Sequence, residues 1–185
     1  MRFAVLGSGS QGNGTLIASG DTYILVDCGF SLRETERRLA LLGVSPAQLS
    51  AVLVTHEHAD HVHGVGLLSR RYNVPVYLSQ GTLRGLRKPV EVAGFLGCGD
   101  SISIGALQVS AARVEHDAHE PLQYVLSDGR RRFGMLTDLG CYDARLLERY
   151  QGLDALLIEA NHCRDLLARG HYPHFLTLRV GGRQG

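Results

Sequence analysis

Short apolar runs broken by glycine-rich or polar stretches pattern this chain, and their period changes along it. Residues 3–6 are apolar and read as a strand. Residues 15–18 and 23–27, β-branched and apolar, flank Ser19-Gly20-Asp21, which is the chemistry of a β-hairpin. A helix follows, capped by Ser31 with Glu34 at the capping-box position. Its face carries Leu32, Leu39 and Leu42, and Gly43 ends it. Residues 51–54 form a continuous apolar run, the signature of a strand covered on both faces. The rhythm then predicts a helix over 64–71, a strand over 74–78 and a helix over 82–86. From Ser101 it changes to antiparallel strands at 102–104, 107–114, 122–126 and 132–137, with Ser127-Asp128-Gly129 as a turn. A helix over 144–150, a strand over 155–159 and a short helix over 165–168 complete the reading.

Two strand-rich halves, each with helices, make a mixed α and β protein of one domain, and 185 residues suffice to bury a real core. A net charge of +1 leaves no whole-molecule field to select nucleic acid or an anionic membrane. Arginine groups at Arg70-Arg71, at Arg84/Arg87/Lys88 and at Arg130-Arg131-Arg132 read as solvated surface. With the arginines dispersed and aromatics at 6%, neither a basic groove nor a stacking platform is visible. The four cysteines are scattered without a CxxC pair, which argues against a zinc ribbon or a disulfide framework. The N-terminus meets Gly7 too early for a signal peptide, and no apolar run of about 18 residues follows. A reduced, cytoplasmic protein with no membrane partner is expected.

Gly7-Ser8-Gly9-Ser10-Gln11-Gly12 matches GxGxxG after a strand. A dinucleotide site also needs a helix opening at the last glycine, to face the pyrophosphate. Here a hairpin follows, so nicotinamide binding is not expected.

The chemistry concentrates after the buried run, in Thr55-His56-Glu57-His58-Ala59-Asp60-His61. His56 and His58 stand two apart at a strand end and so point to one side. With Asp60 and His61 they form a dense set of imidazole and carboxylate groups suited to zinc, iron or manganese. A lone histidine is usually a surface or hydrogen-bonded core group, but this density argues for a metal. His116 and Asp138 end later strands and can reach the same pocket. Taken singly, His116 could be a loop residue and Asp138 a turn former.

Gly12-Asn13-Gly14-Thr15, Leu25-Val26-Asp27-Cys28-Gly29, Thr55-His56-x-His58-x-Asp60-His61-x-x-Gly64, His116-Asp117-Ala118 and Thr137-Asp138-Leu139-Gly140 follow the order seen in metallo-β-lactamase-fold hydrolases. The chain resembles that family over essentially its whole length. The last of these motifs and Glu159-Ala160-Asn161-His162 point to the WalJ/YycJ (VicX) type. The resemblance implies a four-layer αββα sandwich over residues 1–185. It implies two divalent metal ions, zinc first, with manganese or iron as options. His56, His58 and His116 would hold one ion, Asp60 and His61 the other, with Asp138 bridging and Asp27 hydrogen-bonding the motif loop. Two such ions activate a water for attack. Asp60 could also carry a proton, and His162 or His119 could protonate a leaving group, with His162 preferred. His63 is expected to face solvent, and His171 and His174 to be loop residues.

The same resemblance implies a phosphodiester substrate, possibly a DNA end cut exonucleolytically, making nucleic acid the expected partner; oligomeric state is open. The alternatives are a non-catalytic metal-binding module and a hydrolase of small esters or thioesters. Finally, the tail after Tyr172 resembles a family stretch that runs into a Gly-His-Leu element, with Gly185 matching its glycine. The family's last metal-ligand histidine would come next, so the C-terminal portion of the domain is expected to be missing and the Asp60/His61 site one ligand short.

Overall fold

A computed structural model of the chain describes residues 1–160 and 163–182. Its first sheet contains β1 (Arg2–Gly7), β2 (Gly14–Ser19), β3 (Thr22–Val26), β4 (Ala51–Leu53), β5 (Val76–Leu78) and β6 (Gly94–Phe95), in that spatial order. The first three strands form an antiparallel meander; β3 to β6 are parallel. Parallel neighbours need crossovers, and these carry α1 (Leu32–Leu41) before β4, α2 (Ala59–Val62) and α3 (Val65–Tyr72) before β5, and α4 (Gln80–Gly85) before β6. The second sheet runs β11-β10-β9-β8-β7, with β7 (Ser101–Ile104), β8 (Leu107–Arg113), β9 (Leu122–Ser127), β10 (Arg132–Leu136) and β11 (Ala155–Ile158). It is antiparallel except between β10 and β11, which α5 (Ala144–Arg149) connects. Two short helices, α6 (Arg164–Arg169) and α7 (His174–Val180), follow.

Period-two alternation decides how the layers stack. Ile17, Ile24 and Val26 point from the first sheet into a core shared with Val109, Tyr124 and Phe133 of the second. Their neighbours Leu16 and Leu25 point the other way, where they meet Leu39 of α1 and Leu68 of α3. Leu146 of α5 packs with Ala112, Val114 and Leu136 on the outer face of the second sheet. The result is the expected αββα order. Each fully buried aliphatic side chain contributes about 1.5–3 kcal/mol, and the core between the sheets and the core under α1 and α3 are of similar size. Tyr124 ties the sheets together by donating its hydroxyl to the Val54 carbonyl at 2.7 Å, immediately before the metal-capable motif.

Several local expectations are corrected. Ser31 does cap α1, accepting from the Glu34 N–H at 3.3 Å. The capping box stays open, however, because the Glu34 carboxylate turns to Arg37 and Arg38. A closed box forms instead around the 3₁₀ turn Pro46–Gln48, between Ser45 and Gln48. Leu42, placed on the apolar face, is exposed at the helix end. His174 opens α7 rather than lying in a loop. As expected, the glycine-rich stretch 7–12 leads into β2 and not into a helix. Among the described residues, no helix is long and apolar enough to cross a membrane.

Candidate metal centre

The parallel edge of the first sheet builds the site. β4 carries the chain through Val54 and Thr55 to His56, which is 1% exposed and so emerges inside the molecule. Beside it, β3 ends at Asp27, whose φ of 61° puts it in the left-handed region. Such a backbone costs on the order of 1–3 kcal/mol in a non-glycine residue and has to be held by its surroundings. Asp27 is held well: Oδ1 accepts the Thr55 N–H at 2.8 Å, and Oδ2 accepts the Thr55 hydroxyl at 2.8 Å. This confirms the hydrogen bonding to the motif loop expected of it. Gly29 lets the same loop close on α2, since a Cβ there would collide with the Asp60 carbonyl oxygen.

These bonds set which nitrogen each imidazole presents. His61 Nδ1 lies 2.8 Å from Asp27 Oδ2, so Nδ1 donates and Nε2 faces the centre. The Thr55 hydroxyl, already donating to Asp27, can only accept from His56 Nδ1 at 3.0 Å. His56 Nε2 is thereby left with a lone pair, and it is buried with no hydrogen-bond partner. An orphaned buried acceptor of this kind costs about 1–3 kcal/mol unless something fills the site.

Two groups of ligand atoms converge there, His56/His58/His116 and His56/His61/Asp138, each with all atoms within 4.8 Å of one another. His58 Nδ1 and His116 Nε2 are 3.3 Å apart. A tetrahedral ion with bonds of about 2.0–2.1 Å holds its ligand atoms roughly 3.3 Å apart, so this pair suits a metal. Asp138 Oδ2 lies 2.9 Å from His61 Nε2 yet makes no hydrogen bond of normal geometry. Like Asp27, Asp138 has a left-handed backbone, with φ 49°. The residues present fit a divalent cation: imidazole nitrogens, carboxylate oxygens and partnerless buried atoms in one place.

Charge is organised to match. Burial, reinforced by His61, His58 and His116, keeps His56 far below the usual histidine range, hence neutral. Burial also pulls His61 down, but Asp27 and Asp138 outweigh it and hold His61 at about 10. Burial raises Asp138, and the charged His61 beside it more than compensates, keeping it ionised. Glu159, whose Oε2 accepts the Asp138 N–H at 3.2 Å, is pushed up by burial and by the Asp138 charge.

Asp60 belongs to neither group. Its Oδ2 lies 3.6 Å from His61 Nε2 and accepts from Asn13 Nδ2 at 3.0 Å. His63 is exposed, as expected. His119 is exposed too, and its Nδ1 is held by Glu57 Oε1 at 2.5 Å. His162, the candidate proton donor, lies outside the described residues. Sequence reading missed Asn13, Asp117 and Arg179 as parts of the site. Asp117 Oδ1 is buried and unpartnered, 3.4 Å from His116 Nε2 and 3.7 Å from His58 Nε2, while Arg179 of α7 grips the other oxygen. Adjacency to His116 was the signal for Asp117; nothing in sequence ties Arg179 to it.

Comparison with known proteins agrees with this geometry. Residues 22–180 match the family model described as a beta-lactamase superfamily domain. The chain is 32% identical over 185 residues to the exodeoxyribonuclease YycJ of Bacillus anthracis, covering 97% of this chain and 70% of that protein. It is 33% identical over 190 residues to the exodeoxyribonuclease WalJ of Streptococcus pneumoniae, covering 97% of this chain and 69% of that protein. Among solved structures, Zn²⁺-bound PqqB from Methylobacterium extorquens superposes with a TM-score of 0.77 at 16% identity, over 99% of this chain and 80% of that one. The metallo-β-lactamase-fold protein YhfI from Bacillus subtilis gives 0.66 at 20% identity, over 83% and 69%. These last two speak to the fold alone. On the family model, the relatives and the sandwich together, this chain belongs to the metallo-β-lactamase superfamily of hydrolases.

Proposed function

We propose that the chain is a dinuclear metal-dependent phosphodiesterase acting on DNA as an exonuclease. The carrying observation is that His56, His58, His61, His116 and Asp138 converge in one place, more donor groups than the four of a single tetrahedral ion. Support for the substrate class comes from relatives named exodeoxyribonuclease, matched over 97% of this chain. In this reading His56, His58 and His116 hold one ion, zinc by donor type, and manganese or iron as options. His61 and Asp60 contribute to the second, and Asp138 faces both. Divalent ions bound there supply an activated water and polarise the scissile group. The chain's own residues do the rest. Asp27 and Thr55 lock the tautomers of His61 and His56. Asn13 orients Asp60, which accepts the proton released by attack. His162 is the proposed leaving-group donor. The cytoplasmic setting rests on the scattered thiols, which are free.

The test is hydrolysis of bis(p-nitrophenyl) phosphate and of end-labelled DNA by the purified protein. Turnover should disappear with chelator, return with zinc or manganese, and fall at least about a hundredfold in Asp60→Ala and His61→Ala. Metal-loaded protein with no activity on either substrate contradicts the proposal.

A further inference from the structure

Cations that look dispersed along the sequence are gathered by the fold on elements packed against the ligand-bearing loops. α4 is fixed to both ligand-bearing loops. At its start, the Ser79 hydroxyl donates to the Glu120 carbonyl at 2.7 Å, and the Gly81 N–H donates to Glu120 Oε2 at 2.8 Å. At its end, Gly85 lies so close to Glu57 that a Cβ would collide with that side chain. Glu57 stands between His56 and His58, and Glu120 follows His116 by four positions. Arg84 is therefore on an element packed against the loops that carry the ligands, and Arg87 and Lys88 continue from it. Arg70 of α3 joins them, with Nη1 3.4 Å from the carbonyl of Pro89, next to Lys88.

All four side chains are exposed, and among the described residues none of them forms an ion pair. Other cations differ: Arg71 pairs with Glu36 at 3.6 Å and Arg131 with Asp154 at 2.5 Å. The centre itself sets Asp60, Asp117 and Asp138 against its histidines, carboxylates whose charge bound cations would offset. A cluster of unneutralised cations fixed to the ligand-bearing loops adds a field that attracts a polyanion.

We propose that Arg70, Arg84, Arg87 and Lys88 form a rim that binds the sugar-phosphate backbone of single-stranded DNA as it approaches the metal centre. This rests on the phosphodiester reading above. The contacts are to phosphates, so they confer affinity and register but no base preference.

The experiment uses metal-loaded full chain and a fluorescein-labelled phosphorothioate oligothymidylate, with binding followed by anisotropy across a salt series. Each phosphate neutralised on a single strand contributes about 0.7 to the slope of log affinity against log salt. The variant Arg84→Ala/Arg87→Ala/Lys88→Ala should lose roughly 2 from that slope and about tenfold or more in affinity at low salt. Its hydrolysis of bis(p-nitrophenyl) phosphate, too small to reach the rim, should be unchanged, which also shows that it folds. An unchanged slope, or a wild-type protein that does not bind the oligonucleotide, overturns the rim. Wild-type turnover of the small diester without binding removes the rim alone. Absent turnover with salt-dependent, variant-sensitive binding removes the phosphodiester reading and leaves the rim standing.

Discussion

At the residue scale, the centre works through the nitrogens that face away from it. His61 and His56 each have the rear nitrogen occupied, by Asp27 and by Thr55, and so present Nε2 to the centre, as a lone pair on neutral His56 and, on His61, with a proton that a cation would displace. Asp117 stands in the corresponding place behind His58, although 3.7 Å leaves that contact long, and Arg179 steadies its carboxylate. Partners of this kind usually account for 10–100-fold in metal affinity. Asp27→Asn keeps the shape and loses the charge, so it should weaken zinc binding by about that range; Asp117→Ala should weaken it by roughly tenfold. Competition with a chromogenic chelator measures both, and wild-type affinity in Asp27→Asn contradicts the assigned role. His56 to His61 and His116 were legible because ligand types cluster around a buried apolar strand. Asn13 was visible only as part of a loop motif. Arg179 was illegible because 62 positions separate it from Asp117, and only the folded chain brings them together.

At the element scale, the strands were read well and the caps less well. β2, β3, β4, β8, β9 and β10 all carry strong apolar or alternating runs that the pleat must bury. β6 has only two residues, and α7 exposes Phe175 and Leu178, so neither has a period to detect. α1 illustrates a competition that spacing cannot decide. Glu34 could close a capping box or meet arginines a turn later, and two guanidiniums win. Hydrogen bonds from Arg37 and Arg38 hold its carboxyl at about 2, below the ordinary 4.5. A depressed folded pKa stabilises the native state above the unfolded value, and that contribution is lost as pH falls through the folded one. Glu34→Gln should therefore lower the urea midpoint near neutral pH. The gap from wild type should narrow below about pH 4.5 and close near pH 2. A gap that does not change with pH would show that the ion pairs contribute nothing.

At the scale of the molecule, the sandwich explains why one short motif can organise the whole site. Ligands come from the ends of strands in both sheets: His56 after β4 in one, His116 after β8 and Asp138 after β10 in the other. Tyr124 bridges the sheets at Val54, so the two halves of the ligand set are held in register by the core itself. Periodicity alone gave only mixed α and β; the layer order became evident from the resemblance and from which faces of β2 and β3 are apolar. His56 lies at the middle of a metal site assembled across both sheets, the residue common to both ligand groups. Calorimetric zinc titration of chelator-stripped protein, wild type beside His56→Ala, tests it most directly. The account predicts saturable, tight binding of at least one ion per chain that is abolished in His56→Ala. No stoichiometric binding by the wild type, or equal binding by the two proteins, would contradict it.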